Sequence, residues 1–251
     1  MKLYRSQDQG WLVQSSHGFQ PLLSPWLELG ASEPMLGPVV DEPIRFLAPV
    51  EPTKIVCVGL NFAQHAAEQG KAVPDEPVIF MKPTTSLLHP LWGILLPDQS
   101  SEVHHEGELA VVVGRRLTRA SAEEAQAAIF GYTCANDVTA RDIQRRDKRY
   151  TRAKGFDTFC PVGPAVALAR DFAPADHTLE VRVNEEVRQR SRLDDFIFPI
   201  PQVISFISHV MTLLPGDLVL TGTPAGVGSI VPGDRVEVEI DGIGVLRSPV
   251  C

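Results

Sequence analysis

One stretch constrains the fold more than any other: His105-Glu106-Gly107-Glu108-Leu109-Ala110-Val111-Val112-Val113-Gly114. Two carboxylates stand two residues apart at the mouth of an apolar, β-branched run. Successive side chains of a strand point to opposite faces, so Glu106 and Glu108 share a face and can converge on one point. The run itself reads as a buried strand, where a charge must be paired or change its protonation state. A third acid, Asp137, closes the next strand-like stretch, Gly131-Tyr132-Thr133-Cys134-Ala135-Asn136-Asp137. Three carboxylates ~5 Å apart at an effective dielectric of ~20 repel by roughly 3 kcal/mol per pair. A hard divalent cation turns that repulsion into binding, and all-oxygen ligation suits Mg²⁺ or Mn²⁺ better than Zn²⁺.

A chain of 251 residues is compatible with one large domain and a small appendage. Its formal charge of −8 argues against nucleic acid or an anionic membrane as partner, since both demand a basic face. The one basic cluster, Arg141 to Lys154, is interleaved with acids and reads either as a solvated helix and loop or as the lining for an anionic small molecule. Cys57, Cys134, Cys160 and Cys251 are widely spaced, without a CxxC pair, as expected of reduced and mostly buried thiols in a cytosolic protein. Met1 to Arg5 lack the apolar core of a signal peptide, and no apolar run approaches a membrane span. A soluble cytoplasmic protein is the expectation.

Residues 1–50 differ from the rest, with strand-like pieces at Leu3 and Trp11-Leu12-Val13 followed by a Pro-rich passage from Pro21 to Pro52. They read as a small β appendage and linker ahead of a main domain over 51–251. That domain opens with a short buried strand at Lys54 to Gly59. Asn61 as N-cap and Gly70 as stop then predict about two turns of helix. His65 and Glu68, three apart, share a face of it. The pair reads either as a surface contact or as a general base whose imidazole is oriented by the carboxylate. Val78 to Lys82 is a further strand. Ser121-Ala122-Glu123-Glu124 has the form of a capping box, opening a helix to about Phe130. Arg141 and Gln144 fall on one helical turn, where the Arg fork suits a carboxylate of substrate or of a protein neighbour. Lys154, ahead of a short loop and a strand at Pro164 to Leu168, is assigned no role from its spacing alone. Leu179 to Val183 with the strand from Val187, and Arg235 to Val250 around Asp241-Gly242, read as two hairpins. Many short strands and three or four short helices make an α+β fold, mostly β. GxGxxG, GxxxxGK[ST], GxSxG and HExxH do not occur.

Taken together, five stretches resemble the fumarylacetoacetate hydrolase family, particularly its acylpyruvate hydrolase and 2-hydroxyhepta-2,4-diene-1,7-dioate isomerase branch. They are Gly59-Leu60-Asn61-Phe62 with His65 and Glu68; Glu106 to Val112; Asn136 to Asp142; Lys154-Gly155-Phe156-Asp157-Thr158; and Thr221 to Gly228. In family order they cover about four fifths of the chain, from Lys54 onward. Phe62 stands where many relatives place a tyrosine. The resemblance implies a mixed β-sandwich roll, usually a homodimer, with Mg²⁺ or Mn²⁺ on Glu106, Glu108 and Asp137. It implies His65 and Glu68 on a mobile lid as catalytic residues with Lys154, and Arg141, Gln144, Gly222 and Thr223 at the substrate. The substrate expected is a 2-oxo acid or its enol. The first expectation is hydrolysis of a C–C bond in an acylpyruvate by a water that His65 deprotonates. Isomerisation of a hydroxymuconate-type dienedioate or decarboxylation of oxaloacetate is the alternative within the same chemistry. A non-catalytic metal-binding or ligand-sensing module would not need the His65–Glu68 pair.

Overall fold

The computed structural model describes residues 1–29, 33–41, 44–68, 70 and 72–251. Residues 30–32 and 42–43 of the Pro-rich passage therefore lie outside the described residues, as do 69 and 71 of the expected lid. The strand Gly107–Val113 is buried at every position, and both of its faces are covered. Leu109, Val111 and Val113 pack into one apolar core with Val181, Val183, Val238 and Ile240. Ala110 and Val112 face a second core with Leu3, Val13, Ile55, Cys57, Val162 and Leu218. A strand buried on both sides reads as a continuous apolar run without polar alternation, as this one does.

Around it forms a large mixed sheet. Its order is Gly18–Pro21, Gly10–Ser15, Lys2–Ser6, Cys160–Leu168, Ile129–Asn136, Gly107–Val113, Leu218–Leu220, Ile55–Gly59 and Val78–Lys82. Leu218–Leu220 runs parallel to Ile55–Gly59, and the other pairings along this path are antiparallel. The N-terminal strands pair onto this sheet directly, with Leu3 opposite Val166. Both expected hairpins are present. They join into a second, four-stranded sheet in the order Glu186–Arg192, Thr178–Val183, Arg235–Ile240 and Gly244–Pro249. The second sheet lies on the first at Gly107. A Cβ built there would stand 2.2 Å from Val181 Cγ2, so a side chain between Glu106 and Glu108 would force the layers apart.

The α+β, mostly β architecture expected from the sequence is what the chain adopts. Ser121 caps the helix Ala122–Gln126 through a complete capping box. That helix stops at Gln126 rather than near Phe130, because Ile129–Asn136 is drawn into the large sheet beside the central strand. No helix among the described residues is long and apolar enough to cross a membrane.

Asn61 departs from its expected role. The helix Ala63–Glu68 follows it, and Gly70 ends that segment at φ +62° as anticipated, but the Asn61 side chain is used elsewhere. Its Nδ2 donates to the Phe198 and Thr221 carbonyls at 3.2 and 2.9 Å, and its Oδ1 accepts the Phe198 N–H at 2.8 Å. The fully buried amide is turned to these distant backbone groups instead of to the helix. It joins three segments that surround the acids. Asn61→Ala leaves the Phe198 N–H and the Thr221 carbonyl without these partners, at a cost of ~1–3 kcal/mol for each buried group. Urea unfolding of the variant should therefore show a loss of about 2–6 kcal/mol. An unchanged midpoint would mean that other groups or water replace the amide.

Candidate active site

Glu106 sits where the chain leaves one sheet for another. Val103–His105 pairs with Thr139–Ala140 and Gly228–Ser229 in a small sheet, and Gly107 begins the central strand of the large one. The Glu106 N–H donates to Asn136 Oδ1 at 2.9 Å, and its carbonyl accepts the Asp137 N–H at 2.8 Å. Those two bonds fix Glu106 against Asp137. Glu108, one strand position inward, lies opposite Ala135 and accepts the Gly222 N–H at 2.7 Å. Gly222 holds φ +99°, and a Cβ there would stand 2.9 Å from Asn61 Cβ, so only glycine fits. One oxygen from each of Glu106, Glu108 and Asp137 lies within 4.8 Å of the others, and all three residues are buried.

Three cations surround these three acids. Lys154 ends the short helix Thr151–Lys154 and donates to Glu106 Oε2 at 2.9 Å, Asp137 Oδ2 at 2.5 Å and Thr139 Oγ1 at 2.8 Å. Lys82 closes its strand with Nζ 2.6 Å from Asp137 Oδ1 and 3.2 Å from the Val138 carbonyl. Arg141 bonds Glu106 Oε1 through Nη2 and Gln144 Oε1 through Nη1, the latter at 2.6 Å. The carboxylates consequently differ. Burial alone would raise the Glu106 carboxyl, but the charges of Lys154 and Arg141 outweigh it and hold that group below the usual carboxylate range. Burial, then the negative charges of Asp137 and Glu106, push Glu108 well above it. Burial would lower Lys154, yet Asp137 and Glu106 raise its ammonium above the ordinary lysine value.

The donor set fits a divalent cation. Three buried carboxylate oxygens can meet at one point, and Glu108 is the member whose repulsion the cation would relieve. These three residues are the ones that would hold it.

His65 lines the same cleft as the acids, with Arg141, Gln144, Lys154 and Thr223. It is 4 % exposed, and its Nδ1 lies 3.0 Å from Glu68 Oε2. The other Glu68 oxygen accepts the Gly226 N–H at 3.0 Å, so one carboxylate orients the imidazole and ties the helix to the loop after Thr223.

Lys154 lines the cleft and gives all three of its N–H bonds to protein oxygens, two of them on the acids. Gly222 meets Glu108 instead of lining the cleft. Sequence reasoning also missed Lys82, Phe80 and Tyr150. Phe80 and Tyr150 stack at 4.5 Å in the cleft wall, and Lys154 Nζ lies 5.0 Å from the Phe80 ring centroid. Lys82 carried a signal, a lysine at the end of an apolar strand, but nothing in the sequence marked which acid it meets.

A profile of the family described as fumarylacetoacetate (FAA) hydrolase, C-terminal, matches residues 54–251. The chain belongs to the fumarylacetoacetate hydrolase family. A bovine family member named oxaloacetate tautomerase FAHD2A, mitochondrial, is 44 % identical over 219 residues, covering 82 % of this chain and 69 % of its own. The structure of a 5-carboxymethyl-2-hydroxymuconate delta-isomerase from Mycobacterium smegmatis superposes with a TM-score of 0.87 at 40 % identity, covering 100 % of this chain and 99 % of the other. That of a 2-hydroxyhepta-2,4-diene-1,7-dioate isomerase from Mycobacterium marinum gives 0.81 at 42 % identity, covering 100 % and 98 %. Both bear on the branch that the motifs resemble, and family membership makes the chain an enzyme of this group.

The raised Glu108 carboxyl sets a pH dependence for the metal-free protein. A folded-state pKa above the unfolded value gives stability that is complete below the unfolded pKa and is lost as pH rises through the folded one. In chelator, thermal unfolding midpoints of the wild type should fall as pH rises through that raised pKa. Glu108→Gln should flatten that fall and be the more stable protein at the alkaline end. Parallel curves for the two proteins would show that Glu108 is not the strained member of the cluster.

Proposed function

We propose that this enzyme transfers a proton next to the keto group of a dicarboxylic 2-oxo acid, interconverting keto and enol forms or shifting a conjugated double bond. The observation that carries it is a histidine paired with a carboxylate, opening onto the same cleft as the three clustered acids. Charge supports the substrate class. Glu106, Glu108 and Asp137 face Lys82, Arg141 and Lys154, so these protein charges cancel, and a Mg²⁺ or Mn²⁺ ion leaves two positive charges for a dianion. The preference for C–C hydrolysis gives way because the relatives described above, at 40–44 % identity, carry tautomerase and isomerase names.

The chain's own residues divide the work. Arg141, backed by Gln144, offers its guanidinium to a substrate carboxylate, and the Gln144 amide supplies a further donor. The ion, when bound, draws electron density from the 2-oxo group and acidifies the adjacent C–H. His65 carries the proton to or from that carbon, and Glu68 holds the ring and stabilises the imidazolium that forms.

Metal-stripped protein should leave the decay of enol-oxaloacetate absorbance at its spontaneous rate, and Mg²⁺ or Mn²⁺ should accelerate it. A dienedioate isomer should respond in the same way if the branch is the isomerase one. His65→Ala should lower kcat by about 10²–10⁴-fold with metal affinity kept, as for loss of a general acid–base group. Metal-dependent release of pyruvate from acetylpyruvate, with the enol panel silent, would restore hydrolysis with His65 as the base for water.

A further inference from the structure

Gln189 is the one buried side chain of the strand Glu186–Arg192, whose other members are exposed or half-buried. It pairs with Val181 and so shares that residue's buried face, and the register slips beside it, between Val181 and Arg182, leaving Arg188 as the bulged residue. The Gln189 side chain projects out of the second sheet and into the gap between the acid-bearing strand and the loop that follows the Leu218–Leu220 strand. Both ends of the amide are used. Its Oε1 accepts the Gly107 N–H at 3.0 Å and lies 3.0 Å from His105 Nδ1. Its Nε2 donates to Thr223 Oγ1 and to the Pro224 carbonyl, each at 2.8 Å. A backbone N–H only donates and a carbonyl only accepts, so the amide orientation is fixed by its partners.

The consequence falls on Thr223. Its hydroxyl accepts from Gln189 and donates to the Gly107 carbonyl at 2.8 Å. A hydroxyl has one proton and two lone pairs, so only a lone pair remains for the cleft that Thr223 lines. We propose that Gln189 is a positioning residue, which presents the Thr223 hydroxyl to the substrate as a hydrogen-bond acceptor and locks the substrate loop onto the strand carrying Glu106 and Glu108. The group seated at Thr223 is then a donor, an enol hydroxyl or a water, and a substrate carboxylate belongs at Arg141 instead. The Arg188 carbonyl completes the seat. A Cβ on Gly226 would stand 2.1 Å from it, so the loop packs on the bulge only because residue 226 is glycine. This inference deepens the proton-transfer reading and rests on it for the identity of the donor.

A double-mutant cycle of Gln189→Met and Thr223→Val tests it, with Thr223→Ser as the conservative variant. Gln189→Met keeps the volume and removes the amide. Each single variant should lower kcat on the enol substrate by about tenfold or more, with KM moved by less than about threefold. The double variant should lose little beyond the worse single one, and Thr223→Ser should retain most of the wild-type kcat. Multiplicative losses, or a Gln189→Met enzyme with wild-type kcat per folded molecule, would overturn the proposal. If wild-type protein is silent on the enol panel, the proton-transfer reading fails separately, and hydrogen exchange decides for Gln189. Gln189→Met should then speed exchange at the Gly107 and Gly226 amides by about tenfold while amides of the Ile200–Val210 helix keep their protection. Unchanged protection at Gly107 and Gly226, or an equal loss everywhere, overturns it on that arm. Should Gln189→Met fail to fold, the comparison of Thr223→Ser with Thr223→Val still decides. Equal losses for both would mean that no hydroxyl acceptor is being presented.

Discussion

Three carboxylates buried side by side are the constraint around which the rest of this structure is arranged. Left alone they would repel by a few kcal/mol per pair and pay in addition for leaving water. The chain answers with Lys154 between Glu106 and Asp137, Lys82 on the far oxygen of Asp137 and Arg141 on Glu106. Glu108 receives only a backbone N–H among its described hydrogen bonds, and its raised pKa records the deficit. The compensation is thus uneven by construction. Two acids are paired with protein cations and the third is left for an ion or a proton.

That arrangement requires a two-layer β scaffold more than it requires any one loop. The acids come from a strand and from the chain's crossing between sheets, the lysines from a strand end and a short helix, and the arginine from another helix. Close packing of the layers depends on Gly107, between the first two acids, where the valines of the second sheet press on the backbone. Glu68 divides its two oxygens between the His65 imidazole and the Gly226 N–H, so the orientation of the base and the seating of the helix carrying it on the neighbouring loop share one side chain.

Much of this was legible in the sequence because it depends on local pattern. The period-two placement of Glu106 and Glu108, the β-branched run behind them, the capping box at Ser121 and the Asp241-Gly242 turn each report directly on backbone geometry. What could not be read is what depends on pairing between distant segments. Asn61 looked like a helix cap because Asn is a good one, and only the approach of Phe198 and Thr221 shows why its amide is occupied. Lys82 was a plain lysine, and Lys154 stood out only through the family resemblance, until the fold placed them on either side of Asp137. Gln189 sits in a strand of charged residues with no motif around it, and only its pairing with Val181 across the hairpin shows that it faces inward.

The counting of donors and acceptors goes further than the list of lining residues. Lys154 has three protons and gives them to Glu106, Asp137 and Thr139. Thr223 has one proton and has spent it on Gly107. The Arg141 guanidinium and the Gln144 amide, on one helical turn, offer donors for an anion in the cleft wall, while Thr223 offers an acceptor from a different segment. A ligand that satisfies both must be polarised along its length, with a carboxylate at one end and a hydroxyl or water at the other. An enolised 2-oxo dicarboxylate has that shape of charge. A molecule that neither carries the hydroxyl nor leaves room for a water there would leave a buried lone pair facing nothing, at a cost of ~1–3 kcal/mol, enough to set a preference of roughly tenfold to a hundredfold for the ligand that supplies the donor.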